Sequence, residues 1–156
     1  MRPVTSLIAV AAALGVAATA LAASPQMNAT DSIRARQTHY KEIGASFKII
    51  RDELAKPAVD KAKVQAASAK LAAFAPQISG WFPKGSGSEA GLKTAAKAEI
   101  WADPKGFNEQ AETFVARTKR FNAIAMNGDV AEMKQAIPQL GAACKSCHDR
   151  FRVSEK

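Results

Sequence analysis

Apolar side chains recur along this chain at alternating spacings of three and four, the period of an amphipathic helix with one buried face. Four such stretches predict four long helices. The first runs from about Asp31 to Lys56, with a seam of Ile33, Arg36, Tyr40, Ile43, Phe47, Ile50 and Leu54. It stops before Pro57, whose ring biases the preceding residue away from helix. The second, about Asp60 to Ile78, carries Val64, Ala67, Leu71, Phe74 and Ile78, and Pro76 is expected to disrupt its last turn. A glycine-rich connection from Gly80 to Gly87 follows, and then a short helical segment from about Glu89 to Ala102. Asp103-Pro104 supplies an N-cap and first-turn pair for the third long helix. Its seam is Phe107, Ala111, Phe114, Thr118, Phe121 and Ala125, and Asn127-Gly128 ends it. Asp129, with Glu132 three residues on, resembles a capping box that opens the fourth. There Val130, Met133, Ile137, Leu140, Cys144, Cys147 and Phe151 share one stripe. Pro138 interrupts this last pattern and predicts a kink, which Gly141 would ease.

No strand-like alternation of useful length occurs, and no repeat beyond the helical period. Four helices joined by one long and two short connections predict an all-α fold, an antiparallel four-helix bundle. The amino-terminal stretch is of another kind. Arg2 precedes an apolar, alanine-rich run from Leu7 to Leu21, and Ala20-Leu21-Ala22 has the small-x-small form of a signal-peptidase site. A membrane anchor is the competing reading, since the run is almost long enough to span. The cleavage motif and the polar Ser24-Pro25-Gln26 favour removal of residues 1–22, with Ala23 as the neighbouring cut. An exported domain over 23–156 would then remain, placed in the periplasm, with no membrane attachment after cleavage.

The 156-residue chain has 22 Lys and Arg against 14 Asp and Glu, a net charge of +8. Cleavage removes only Arg2 of the charged residues, leaving about +7. The lysines scatter along helix exteriors and no nucleic-acid module is visible, so nucleic acid is not an expected partner. A basic surface fits a redox partner protein with an acidic surface or a polyanionic surface, or simply a solvated helix exterior.

The chemistry concentrates near the carboxyl end, in Cys144-Lys145-Ser146-Cys147-His148. Cys-x-x-Cys-His is the attachment signature of c-type haem. Positions i, i+3 and i+4 fall on neighbouring parts of one helix face, so two thiols can form thioethers while the imidazole reaches the iron. The chain has no other cysteines. A disulfide between them would close a tiny loop and stabilise little. Zinc held by Cys144, Cys147 and His148 lacks a fourth ligand nearby, since His39 is the only other histidine. A thiol oxidoreductase would place its Cys-x-x-Cys after a strand, and none is seen.

With an Arg-Gln pair on the first helix, a Trp-Phe-Pro-Lys-Gly-Ser loop and a Cys-x-x-Cys-His-x-x-Phe-Arg end, the chain resembles the class II c-type cytochromes: the cytochrome c′ group and its low-spin, methionine-ligated relatives. The resemblance covers essentially all of the chain after residue 22. It implies one covalent haem c within one end of the bundle, with Cys144 and Cys147 as thioether residues and His148 as the proximal iron ligand. It places Arg152 in the proximal pocket, Arg36 and Gln37 near the haem propionates, and Ser86 at the haem edge. A homodimer through the first two helices is also implied.

Other roles compete at several of these positions. Arg36 could be a long side chain reaching solvent from the seam, but an arginine on an apolar stripe calls for an anionic partner. Ser86 reads equally well as an ordinary loop serine. Low-spin relatives place a methionine four residues after the first-helix arginine, and here that position is Tyr40. Tyr40 is expected either to cover an open sixth site by packing, the favoured reading, or to bind ferric iron as a phenolate, which needs a pKa well below about 10. His39 is rotated about 100° from the seam and reads as an exposed or flanking residue. Trp81 and Trp101 read as haem-side or loop packing ahead of any part in electron tunnelling. Met126 and Met133 read as core or helix-surface residues. The expected function is one-electron transfer, with binding of a small gas ligand, NO or CO, at a guarded distal site. No base, nucleophile or substrate pocket is evident, so enzymatic catalysis is not expected.

Overall fold

The computed structural model describes residues 28–154. The proposed signal sequence, 1–22, lies outside the described residues. Four long helices form the body: α1 (Ala29–Leu54), α2 (Lys61–Phe74), α4 (Pro104–Asn127) and α5 (Val130–Phe151), with a single turn, α3 (Glu99–Ala102), ahead of α4. They close a ring in which α1 packs on α2, α2 on α4, α4 on α5, and α1 meets α5. This is the four-helix bundle that the hydrophobic period predicts.

The termini form where polar side chains can satisfy the first free amides. Asn28 accepts from the Asp31 amide, Asp60 from Lys63, Asp103 from Gly106 and Asp129 from Glu132. Gly128 closes α4 in the left-handed conformation, φ +77°, where its N–H reaches the Ile124 and Ala125 carbonyls. A β-carbon there would strain the turn. As Pro76 foretold, α2 gives way at Ala75 to a tighter 3-10 helix, Ala75–Trp81.

The segment from Glu89 to Ala102 departs from expectation. Rather than one short helix, it contains a 3-10 turn at Ser88–Ala90, an extended stretch and α3. The extended stretch has a tertiary partner. Ala96 forms an antiparallel bridge with Arg152, the Lys97 amide donates to Phe151 O (3.0 Å), and the Val153 amide donates to Ala95 O (2.8 Å). Backbone bonding to the end of α5 thus replaces local helix. α5 itself runs unbroken through Pro138. Pro138 and Lys134 are both exposed, so the Lys134 carbonyl that loses its helical donor faces solvent, where water can satisfy it.

The core joins Ile33, Ile43, Ile50 and Leu54 of α1, Val64 and Leu71 of α2, Phe107, Phe114 and Phe121 of α4, and Met133, Leu140 and Phe151 of α5. Met133 is therefore a core residue, whereas Met126 is exposed. On the seam between α1 and α5, several positions predicted for the core are only half-buried: Tyr40 and Phe47 from α1, and Ile137, Cys144 and Cys147 from α5. Gly141 lies between them, where an added β-carbon would stand 3.4 Å from the Phe47 ring tip. The missing side chain lets Phe47 come up to α5.

Candidate haem-binding site

Both cysteines are free thiols on the inward side of α5, and both pack against the core cluster. Burial pushes the Cys144 thiol up to about 11, aided by the nearby Cys147, and burial also raises Cys147. Each is therefore protonated at neutral pH. His148, one position beyond Cys147, is exposed on the last turn. Partial desolvation lowers its pKa, and the positive charge of Arg152 adds to the effect against an opposing Asp149. The imidazole is thus biased toward the neutral form that can donate a lone pair to iron.

The end of α5 is held in place by several ties. The Arg152 amide caps it on His148 O (2.9 Å), and Lys97 Nζ donates to Asp149 O (3.0 Å). Arg150 pairs with Asp103, the residue that caps α4. Gly106 makes room for that pair, since a β-carbon there would lie 2.7 and 2.8 Å from the Arg150 terminal nitrogens.

Across the seam, α1 and the long connection meet at Arg36. This residue is only 2% exposed. Its guanidinium donates to Ser86 Oγ (2.8 Å), Ser86 O (2.6 Å) and Thr94 Oγ1 (3.0 Å), and lies 4.7 Å over the Phe82 ring. Ser86 is fully buried and its own hydroxyl donates to Pro83 O (2.8 Å). Sequence reasoning listed Arg36 and Ser86 separately, and the fold joins them directly. Thr94 was missed, because nothing local marks a threonine 58 positions away as the arginine's partner. Every hydrogen-bond acceptor described for Arg36 is neutral; burial lowers its pKa, against the opposing charges of Tyr40 and the nearby Glu89 carboxylate. Three of its five N–H donors are engaged, leaving two for an anion. Gln37, next in sequence, is exposed and donates to Lys93 O (2.9 Å), on the rim of the same connection.

Tyr40 stands one turn beyond Arg36, close enough to Cys147 for their charges to interact. Burial holds its phenol well above the usual tyrosine range; the proximity of Cys147 adds to this and Arg36 opposes it. A neutral phenol is the stable form here. Around it lie Trp81, edge-on at 5.3 Å, and Phe82 at 6.3 Å. His39 is half-buried rather than exposed, packed on Trp81 (4.7 Å) and Phe74 (5.4 Å), and its buried Nδ1 has no partner among the described residues. Trp101 donates its indole N–H to Phe82 O and Pro83 O, both at 3.1 Å, and so anchors the connection.

A haem suits this arrangement on three counts. Two thiols and an imidazole sit at attachment spacing, the facing apolar side chains are left half-covered, and a buried cation keeps donors for a carboxylate. The residues fit the group.

Comparison with known proteins agrees. The family model described as Cytochrome C′ matches residues 31–152. The chain is 31% identical over 143 residues to cytochrome c′ of Allochromatium vinosum, covering 90% of this chain and 91% of the relative. It is 30% identical to that of Rhodospirillum rubrum, covering 94% and 96%. The match to cytochrome c′ of Rubrivivax gelatinosus is 40% identical but spans about half of that relative's length, 53%. Among solved structures, cytochrome c′ from Thermochromatium tepidum superposes with a TM-score of 0.77 at 25% identity, over 82% of this chain and 98% of that one. A cytochrome c′ with a ligand-controlled dimer dissociation superposes at 0.76 and 26% identity, over 83% and 99%. With its helical ring, its half-covered seam and its Cys-x-x-Cys-His end, the chain belongs to the cytochrome c′ family.

Proposed function

We propose that this chain is a periplasmic monohaem cytochrome that carries single electrons and binds NO or CO at a guarded distal site. The observation that carries the reading is the position of Cys144 and Cys147 on the inward face of α5, with Tyr40 near Cys147 and Phe47 packed up to Gly141 of the same helix. Bound there, haem c supplies an iron that cycles between ferric and ferrous states and accepts a small axial ligand. The chain's residues do the rest. Cys144 and Cys147 hold the macrocycle through thioethers, and His148 gives a ring nitrogen to the iron. Arg152 flanks the proximal imidazole. Arg36 offers its two remaining N–H groups to a propionate, with Gln37 at the rim and Ser86 fixing the guanidinium. Tyr40, Phe47 and Phe82 keep bulk water from the distal side and limit what enters by size. As a neutral phenol, Tyr40 would guard the distal side by packing rather than by binding the iron.

No catalytic role is assigned to any side chain. Zinc- or thiol-based chemistry at Cys144, Cys147 and His148 draws no support from the family match. Export of the domain after cleavage behind Ala22 fits the covalent haem, and no helix among the described residues is long and apolar enough to cross a membrane. A homodimer through α1 and α2 fits the relative that dissociates under ligand control. Ile49 is the exposed apolar residue on that face, beside the Glu42–Lys70 ion pair.

The test is spectroscopic. Protein produced with haem-maturation machinery should show a Soret band. Ferrous protein should take up carbon monoxide, with a spectral change that reports an accessible sixth position. A colourless product would end the reading; a ferrous spectrum unmoved by carbon monoxide would end its gas-binding half. Lys97, Lys145 and Arg150 lie at the His148 end of the bundle, only partly offset by Asp149 and Asp103. Electron transfer with an acidic partner should therefore slow as ionic strength rises, since a Debye length of about 8 Å at physiological salt screens such a field. Stopped-flow rates independent of salt would argue against an electrostatic partner.

A further inference from the structure

We propose that Tyr40 and Trp81 form a one-electron relay from the haem crevice to the protein surface, used when the haem-loaded protein meets a hydroperoxide. The inference rests on the haem reading above. It starts from which rings can be oxidised. Tyrosine and tryptophan give up an electron at potentials that phenylalanine and neutral histidine do not approach, and this chain has one tyrosine and two tryptophans.

Their placement separates the two tryptophans. Tyr40 lies on the crevice wall, and Trp81 meets it edge-on with ring centroids 5.3 Å apart and planes at 90°. This is direct ring contact, across which an electron passes without an intervening bridge. Trp101 reaches Tyr40 only through Phe82, by way of centroid separations of 6.3 and 6.1 Å. The two indole N–H groups differ as well. That of Trp101 is bound to two carbonyls, whereas that of Trp81 has no acceptor among the described residues, and Trp81 itself is only half-buried. An oxidised Trp81 can therefore give its proton to solvent. His39 and Phe74 pack on Trp81 at 4.7 and 6.1 Å and leave the hole nowhere further to go.

The electrons balance. Cleaving the O–O bond of a hydroperoxide to an alcohol and water takes two electrons and two protons. Ferrous protein supplies one electron and becomes ferric. Trp81 supplies the other through Tyr40 and loses its N–H proton, ending as a neutral indolyl radical. Tyr40 keeps its O–H overall. The second proton comes from solvent. The oxidising equivalent thus leaves by a fixed route, away from the thioethers of Cys144 and Cys147.

The experiment mixes ferrous haem-loaded protein with one equivalent of hydrogen peroxide and freezes it for electron paramagnetic resonance. Indole-deuterated tryptophan identifies the radical, and mass spectrometry after spin trapping locates it. Wild type should give a tryptophan radical trapped on Trp81. Trp81→Phe should lose that signal and leave a tyrosyl radical, Tyr40→Phe should lower the trapping at Trp81, and Trp101→Phe should leave it unchanged. An unchanged radical in Trp81→Phe, or trapping at Trp101, would overturn the relay. So would haem-loaded protein that turns ferric with no aromatic radical, an outcome that leaves the haem reading standing. Protein that never acquires a Soret band would overturn both.

Discussion

Replacing both Cys144 and Cys147 with serine should leave a protein from which acidified organic solvent extracts every trace of porphyrin. Each single replacement should leave one thioether and a haemochrome band displaced toward that of a macrocycle with one unreacted vinyl group. The expected loss is this large because the two sulfurs are the chain's whole supply. No third thiol can substitute, and both occupy half-buried positions on the α5 seam, where serine fits without overpacking. The backbone fold should persist, since neither thiol bridges to another element. Far-ultraviolet dichroism would separate a lost linkage from a lost bundle. Wild-type haemochrome spectra in the single variants would refute the thioether assignment.

Much of this architecture is readable from the sequence because it is local. The three-four spacing of apolar positions, the Asp103 and Asp129 caps, the Gly128 stop and the Pro76 break each depend on residues within one turn, and each holds. Cys-x-x-Cys-His is local too, which is why the chemistry is legible before any fold is. What escapes the sequence is long-range. Arg36 stands out as a charge on an apolar stripe, yet its partners Ser86 and Thr94 are 50 and 58 residues away. The stretch before α3 has helical composition and is extended because Ala95 and Lys97 bond to the end of α5. The hydrophobic period marks Tyr40 and Phe47 as core, but it cannot tell a residue that packs on protein from one that faces a cofactor. In the ring of helices both residues fall on the sparsely packed α1–α5 seam and stay half-buried, which sets them apart from the core.

The same seam makes Tyr40→Met the substitution with the largest expected effect on the iron. The site lies one turn from the buried Arg36 and is an electrostatic neighbour of Cys147, so whatever side chain it bears stands over the crevice that Cys144 and Cys147 border. Tyrosine must lose its proton before its oxygen can bind iron. Its burial holds the phenol above the usual tyrosine range, so forming the phenolate costs more there than in water. Methionine has no such barrier. Its thioether carries no proton, its unbranched stem adjusts to fill an irregular gap, and its sulfur is a soft axial ligand that raises the reduction potential of haem opposite histidine. The variant should therefore change from a high-spin, five-coordinate spectrum to a low-spin, six-coordinate one, with a higher potential and slower carbon monoxide binding, because the gas must now displace sulfur. Tyr40→Leu serves as the control. It removes the phenol but supplies no ligand, so it should stay high-spin and bind the gas at least as fast as wild type. If the methionine variant matched wild type in spin state, potential and binding rate together, the residue one turn past Arg36 would not stand over the iron, and the distal guard would have to be sought among Phe47 and Phe82.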